Sequence, residues 1–207
     1  MDLKHIEELL FKEKVSNSDL LSSDLALTDL TYLEDKSFDK LIPAAVLILL
    51  VRRKDGFNVI FTQRAIALKN HPGQISFPGG KVIPNEETHW MCALRETKEE
   101  IGIDPRLIRK IGRIPKHQTV TGFKITPYLA EITSNKVSFL PDDKEVSEIF
   151  EVPFAFLMNS ENMILHSTKY KGQGREYYAI PYGPYYIWGA TARIIKSLSD
   201  LVSTLSR

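Results

Sequence analysis

Three glutamates, Glu96, Glu99 and Glu100, stand at i, i+3 and i+4 in the run Arg95-Glu96-Thr97-Lys98-Glu99-Glu100. On a helix that spacing puts them on one face. Like charges so placed oppose helix formation, so a cation is their natural partner. Hard divalent ions such as Mg²⁺ take carboxylate oxygens together with substrate phosphates. Trp90, Leu94, Thr97 and Ile101 recur at i, i+4, i+7 and i+11 and predict the opposite, core-packing face. Asn85 or Thr88 can cap the helix start, and Glu86 and Glu87 suit the positive end of its dipole. Gly102 suits the left-handed position after the last turn. The plainer alternative is a solvated helix on which Arg95 and Lys98 neutralise the glutamates.

The flanking residues decide between these readings. Gly79-Gly80 precedes the run, a polar loop carries Glu86 and Glu87, and Gly102-Ile103 follows it. This arrangement resembles the Nudix box, with Gly80, Arg95, Glu96, Glu99, Glu100, Gly102 and Ile103 in place. Thr97 stands where that family prefers an aliphatic residue, and the interval from Gly80 to Arg95 is one residue too long. A helix fixes its own spacing and a loop absorbs an insertion, so Glu87 rather than Glu86 is read as the loop glutamate. Just upstream, Thr62, Arg64, Gly73 and Phe77-Pro78-Gly79-Gly80 resemble the signature of the coenzyme A pyrophosphatase branch of Nudix hydrolases, with Lys69 in place of a second arginine. Weaker likeness extends to residues 119–127 and 187–192.

The resemblance implies an enzyme that uses Mg²⁺ or Mn²⁺ to cleave the diphosphate of coenzyme A or an acyl-CoA. It names Glu96, Glu99, Glu100 and the Gly80 carbonyl as metal ligands. It gives Arg95 the role of orienting Glu87 and assigns substrate contact to Arg64, Lys69, Gly73 and Gly79. The general base stays open between Glu99, inside the box, and Glu145, in the acidic turn at 141–145. His117 is a third and weaker candidate. Two other functions stay open: hydrolysis of ADP-ribose, a dinucleotide or a nucleoside triphosphate at the same site, and a non-catalytic ligand-sensing module. Retention of all three box carboxylates speaks against the last.

Other elements must position this helix. Lys54-Asp55-Gly56 is a turn signal between apolar runs at 41–52 and 57–63, which predicts a hairpin. Residues 64–76 read as a polar loop. Strands are predicted at 107–114, 124–132 and 148–152, with a brief extended piece at 137–140 and a loop at 116–122 holding His117. Pro153 opens a short helix through Met158. Residues 177–180 and 185–188 read as paired strands whose Tyr177, Tyr178, Tyr185, Tyr186 and Trp188 are expected in the core. From Ala190 a stripe of Ile194, Leu198, Leu201 and Leu205 predicts a final helix. The order argues for an α+β chain with a mixed sheet between helices. The resemblance implies the Nudix α/β/α sandwich, with the carboxylate helix and the final helix on opposite faces. Residues 1–39 read as a helical and irregular lead-in, with a short amphipathic helix at 1–11. Residues 40–207 read as the catalytic domain.

Across 207 residues, 27 Lys and Arg against 26 Asp and Glu leave a formal charge of +1. Binding of nucleic acid through bulk charge is therefore not expected. The apolar run 41–51 is too short for a bilayer and is broken by Pro43, so no membrane association is expected either. The single cysteine, Cys92, excludes a disulfide framework and reads as a packing residue. With no evident targeting segment, the expected setting is cytoplasmic. The expected partner is a small diphosphate substrate, and a homodimer is compatible with the sequence.

Overall fold

The structure is a computed structural model that describes residues 3–16, 21–23, 41–68, 70–134, 136–170 and 173–203. Chain order begins with α1 (Leu3–Ser16), β1 (Leu21–Ser23), β2 (Ile42–Arg53), β3 (Gly56–Arg64), β4 (Ile75–Ser76) and β5 (Gly79–Lys81). Then come α2 (His89–Ile101), β6 (Ile108–Arg113), β7 (Lys116–Gln118), β8 (Phe123–Ile132) and β9 (Val146–Pro153). The chain closes with α3 (Phe154–Met158), β10 (Ile164–Tyr170), β11 (Gln173–Tyr182), β12 (Tyr185–Trp188) and α4 (Ala190–Ser203).

β2 is apolar on both faces because both are covered. Its Ala45, Leu47, Leu49 and Val51 pack with Cys92, Ala93 and Ile101 of α2. Its Ile48 and Leu50 pack in a second cluster with Ile194, Ile195 and Leu198 of α4. The two helices therefore lie on opposite faces of a mixed sheet, in the expected three-layer order. The buried side of α2 is rotated from the expected stripe: Cys92, Ala93 and Thr97 are buried, whereas Leu94 is half-buried. Small side chains there let the helix approach the sheet closely. The hydroxyl of Thr97 is satisfied within the helix, donating to the Ala93 carbonyl at 2.7 Å, so it is tolerated in the core.

The sheet forks at β2. One edge pairs in parallel with β8 from Ile42 to Leu50. The other edge is shared: Leu50–Arg53 pair with β3, and Ala44–Val46 pair with β5. β3 repeats the pattern, joining β2 through Gly56–Val59 and β4 through Thr62 and Gln63, with β9 along its far edge. Phe77 and Pro78 thus cross the gap between two diverging strands. The Pro78 carbonyl accepts from the Leu47 amide at 2.9 Å, and the Phe77 ring stacks on Phe61 at 5.1 Å.

Several expectations need correction. His117 is not in a loop but fully buried in the short strand β7. Residues 137–140 form no strand, and residues 75–76 do. β10 went unread, since its sequence ILHSTKY has no apolar alternation to announce it. It pairs with β11, and β11 with β12, in a separate three-stranded sheet. Tyr178 and Tyr185 pack on the core as expected, but Tyr186 and Trp188 are 43% and 44% exposed. Leu205 lies outside the described residues.

α1 is built into the same core. Leu3, Ile6 and Leu10 are buried with Ile111 and α4 residues, and a Cβ on Gly112 of β6 would stand 2.6 Å from Leu10 Cβ. The helix therefore lies directly over a glycine. Ile6→Ala removes a fully buried side chain and is expected to lower stability by about 2–4 kcal/mol in chemical denaturation. A change within about 0.5 kcal/mol would show that α1 is dispensable to the folded domain.

Candidate active site

The fork leaves a cleft of about 690 Å³. Its lining includes Arg64, Gly79, Gly80, Glu96, Glu100 and Glu145. Three features hold α2 against the fork. The Thr88 side chain caps the helix, accepting from the Met91 amide at 3.2 Å. Gly102 ends it at φ 75° and donates to the Lys98 carbonyl. Gly80 lets the helix come close: a Cβ there would stand 2.3 Å from a Glu96 carboxylate oxygen.

Burial separates the three box carboxylates. The Glu100 side chain is 3% exposed, Glu96 17% and Glu99 58%. Glu100 accepts from the Gly79 amide at 3.1 Å, and Arg64 Nη1 lies 4.0 Å from its other oxygen. Those partners do not offset the loss of water. Burial first, with the neighbouring Glu96 and Glu145 charges, pushes the Glu100 carboxyl up to about 8. Glu96 is also raised, chiefly by burial.

Arg95 gathers the remaining acids. Its Nε and Nη2 donate to the two oxygens of Glu87 at 3.1 and 2.8 Å. Its Nη1 donates to Glu96 at 2.8 Å and to Glu99 at 2.9 Å. Glu87 also accepts from the Ile83 amide at 2.9 Å. The forked bond to Arg95 holds the Glu87 carboxyl down at about 2. Of the two loop glutamates it is Glu87 that Arg95 grips, and Glu86 is exposed. Cys92 is fully buried, its thiol pushed up to about 12 by burial and donating to the Gly80 carbonyl at 3.5 Å. It is a packing residue.

The acidic turn reaches the same cleft. The Asp142 amide donates to the Glu100 carbonyl at 3.1 Å, and the Ala65 amide donates to the Glu145 carbonyl at 2.9 Å. The turn is thus tied both to the end of α2 and to the residue after Arg64, and Glu145 lines the cleft as a result. Glu87 and Glu99 do not line it. Gly73, at φ 69°, closes the loop after β3 by donating to the Arg64 carbonyl at 3.1 Å. It borders a separate, smaller cleft beside Tyr185, Tyr186 and Trp188. Lys69 lies outside the described residues. Asn70, His71, Gln74, Lys81 and Phe123 also line the main cleft. They were missed because a polar loop and two strand ends carry no diagnostic spacing.

Among the described residues, no three His, Cys, Asp or Glu side chains stand ready to enclose an ion by themselves. That arrangement fits a hard ion that takes much of its shell from water and substrate phosphate. Glu96 and Glu100 bring hard oxygen donors to this cleft, and glycine at position 80 leaves room for the Glu96 carboxylate.

The family model described as the NUDIX domain matches residues 41–167. The chain belongs to the Nudix hydrolase family. The uncharacterized Nudix hydrolases NudL of Salmonella paratyphi B and Salmonella newport are each 36% identical to it over 156 residues, 75% of this chain and 80% of theirs. The crystal structure of the Nudix hydrolase RenU from M. smegmatis covers 79% of this chain and 87% of its own at 16% identity, with a TM-score of 0.54. That likeness concerns the fold alone. Nudix hydrolases generally use divalent metal ions, in keeping with the oxygen donors of this cleft. No helix among the described residues is long and apolar enough to cross a membrane.

Two predictions follow from this geometry. Because the Glu100 pKa is raised from 4.5 to about 8, the metal-free fold holds a proton there that the unfolded chain has lost. Stability from this group is full below about pH 4.5 and is lost as the pH rises toward 8. In EDTA at pH 8.5, Glu100→Gln should therefore melt at least about 3 °C above wild type, with the gap closing by pH 4. A pH-independent gap would refute the assignment. Arg95→Lys cannot reproduce the fork to Glu87. It should lower kcat by roughly tenfold or more and raise the Mg²⁺ concentration needed for half-maximal rate, read from metal titrations of the rate.

Proposed function

We propose that this Nudix hydrolase cleaves the diphosphate of coenzyme A or its thioesters. The products are 4′-phosphopantetheine, or its acylated form, and adenosine 3′,5′-bisphosphate. One observation carries the reading. Arg64 and residues 77–80 hold most of the likeness to the coenzyme A branch, and Arg64, Phe77, Gly79 and Gly80 line the same cleft as Glu96 and Glu100. A site for diphosphate chemistry alone needs the carboxylates and no cation fixed at the end of β3.

Glu96, Glu100 and the Gly80 carbonyl would hold Mg²⁺ or Mn²⁺. When bound, such an ion neutralises phosphate charge and lowers the pKa of a nearby water. The remaining work falls to the chain. Arg64, its Nη1 4.0 Å from Glu100, approaches the phosphates beside the carboxylates and donates to their oxygens. Arg95 keeps Glu96 aimed by holding it, Glu87 and Glu99 in one network. Water attacks one phosphorus in line, the bridging oxygen leaves with the other phosphate, and a carboxylate takes the proton of the water. Glu145 suits that last role better than Glu99. Glu145 lines the cleft, whereas Glu99 is turned to Arg95 and solvent.

Initial rates on coenzyme A, acetyl-CoA, ADP-ribose and a dinucleoside polyphosphate, with Mg²⁺ and with Mn²⁺, test the reading. Coenzyme A or its thioester is expected to show the highest kcat/KM, and EDTA should abolish it. Glu100→Gln should lose at least about a hundredfold in turnover. Glu145→Gln should lose about a hundredfold through loss of the base, and Glu99→Gln less than tenfold. Faster hydrolysis of ADP-ribose would overturn the substrate assignment and leave the family intact. A larger loss in Glu99→Gln than in Glu145→Gln would move the base back into α2.

A further inference from the structure

The cleft has two unlike walls. Arg64, Asn70, His71 and Gln74 give one wall hydrogen-bonding groups. The other wall is the open end of the sheet. β2 and β8 run parallel with Ile42 opposite Phe123 and Ala44 opposite Ile125. Side chains two apart on a strand share a face, so Ile42, Ala44, Val46, Phe123 and Ile125 form one continuous apolar shelf. Val46 and Ile125 also pack against the core cluster that holds α4. The shelf is therefore the outer end of a core face that no element covers among the described residues, and Ile42 is left 41% exposed.

This wall is rigid. The Thr119 amide donates to the Phe123 carbonyl at 2.9 Å, and the Phe123 amide donates to Thr119 Oγ1 at 3.0 Å. The Ile42 amide donates to the Gly122 carbonyl at 2.9 Å, pinning the start of β2 to the same turn. Lys81, opposite Ala44 on β5, carries its ammonium 5.8 Å from the Phe123 ring centroid. It marks the border between the shelf and the carboxylates, next in the chain to Gly80. A ligand lying on this wall meets a preformed surface and loses little to ordering it.

We infer that the shelf binds the linear, largely aliphatic arm on one side of the substrate diphosphate, with the nucleoside on the opposite wall. The inference rests on the coenzyme A reading for the identity of that arm, the pantetheine chain. A purine on the shelf would set its ring nitrogens against Ile42, Val46 and Ile125 with few partners. The polar side chains bordering this end are Thr121, whose hydroxyl is already bonded to Thr119 Oγ1 at 2.9 Å, and Lys81, which stands at the border with the carboxylates. The arm is flexible enough to leave its two amides and its hydroxyl in water while its methyl and methylene groups, each worth roughly fourfold in affinity when buried, lie on the shelf. Residues 42 to 46 span about 13 Å of strand, room for most of such a chain.

The test measures binding of the two product halves separately, by calorimetry on the full chain with Mg²⁺. Phe123→Ala should weaken 4′-phosphopantetheine about tenfold and leave adenosine 3′,5′-bisphosphate within twofold. Phe123→Leu, which keeps the surface apolar, should restore most of the loss. If Phe123→Ala fails to fold, Ile42→Ser at the exposed end of the shelf should give the same selective weakening. Selective loss of the bisphosphate would place the nucleoside on the shelf and overturn the inference, even where coenzyme A is hydrolysed. Unchanged binding of both halves would overturn it as well. If 4′-phosphopantetheine binding depends on Phe123 but another diphosphate is hydrolysed faster, the shelf stands and the substrate assignment falls.

Discussion

The site depends on a carboxylate held where water is scarce. Glu100 sits at the fork of the sheet with 3% of its side chain exposed, and an isolated charge in such a place is strongly disfavoured. The Gly79 amide and the Arg64 guanidinium, 4.0 Å away, offset part of that penalty and leave the rest. A cation bound there relieves it, because the ion meets a donor that solvent has not already satisfied. Backbone geometry makes the burial possible. Gly79, at φ 153°, runs so close to β2 that a Cβ would stand 2.3 Å from the Ala45 carbonyl oxygen. A side chain at Gly79 would push β5 off β2, and one at Gly80 would push α2 off β5.

Arg95 solves a different problem. A helix bearing Glu96, Glu99 and Glu100, with Glu87 nearby, gathers negative charge before any ion arrives. One guanidinium, whose planar fork has donors to spare, bonds three of these carboxylates at once. It leaves out Glu100, the one it does not bond and the one burial keeps protonated to about pH 8. Charge is thus managed by pairing on the outer side of the helix and by protonation on the inner side. The fold tolerates the cluster for these two reasons.

Much of this was legible in the sequence, and the parts that were not share physical causes. The helix and its Gly102 stop follow from local spacing, Thr88 is one of the two caps that spacing offers, and the Glu87–Arg95 pairing follows from the family resemblance. The hairpin at Lys54-Asp55 follows from its turn residues, and the opposite placement of α2 and α4 follows from the resemblance. The three box glutamates differ in burial. Spacing places them on one face, yet the tilt of the helix against the fork decides which is buried, and tilt is a tertiary property. The core stripe rotated toward Cys92 and Ala93 for the same reason. His117 and β10 were misread because short strands of polar residues have no alternation to detect. Gly73 stood at the expected place in a signature, but its left-handed turn closes a loop beside the cleft rather than lining it.

The first half of β2 explains why chemistry and recognition meet in one cleft. Where β3 peels away, β2 takes β5 as its partner for three residues. That exchange gives the two faces of the strand different neighbours at its start. On one face Gly80 admits the Glu96 carboxylate, and on the other Ile42, Ala44 and Val46 continue an apolar surface out of the core. An ion and a flexible arm need opposite environments, one rich in oxygen and one free of it. A sheet separates such environments by the thickness of a single strand, since successive side chains point to opposite faces. Placing the fork there brings the two within reach of one extended molecule without mixing them.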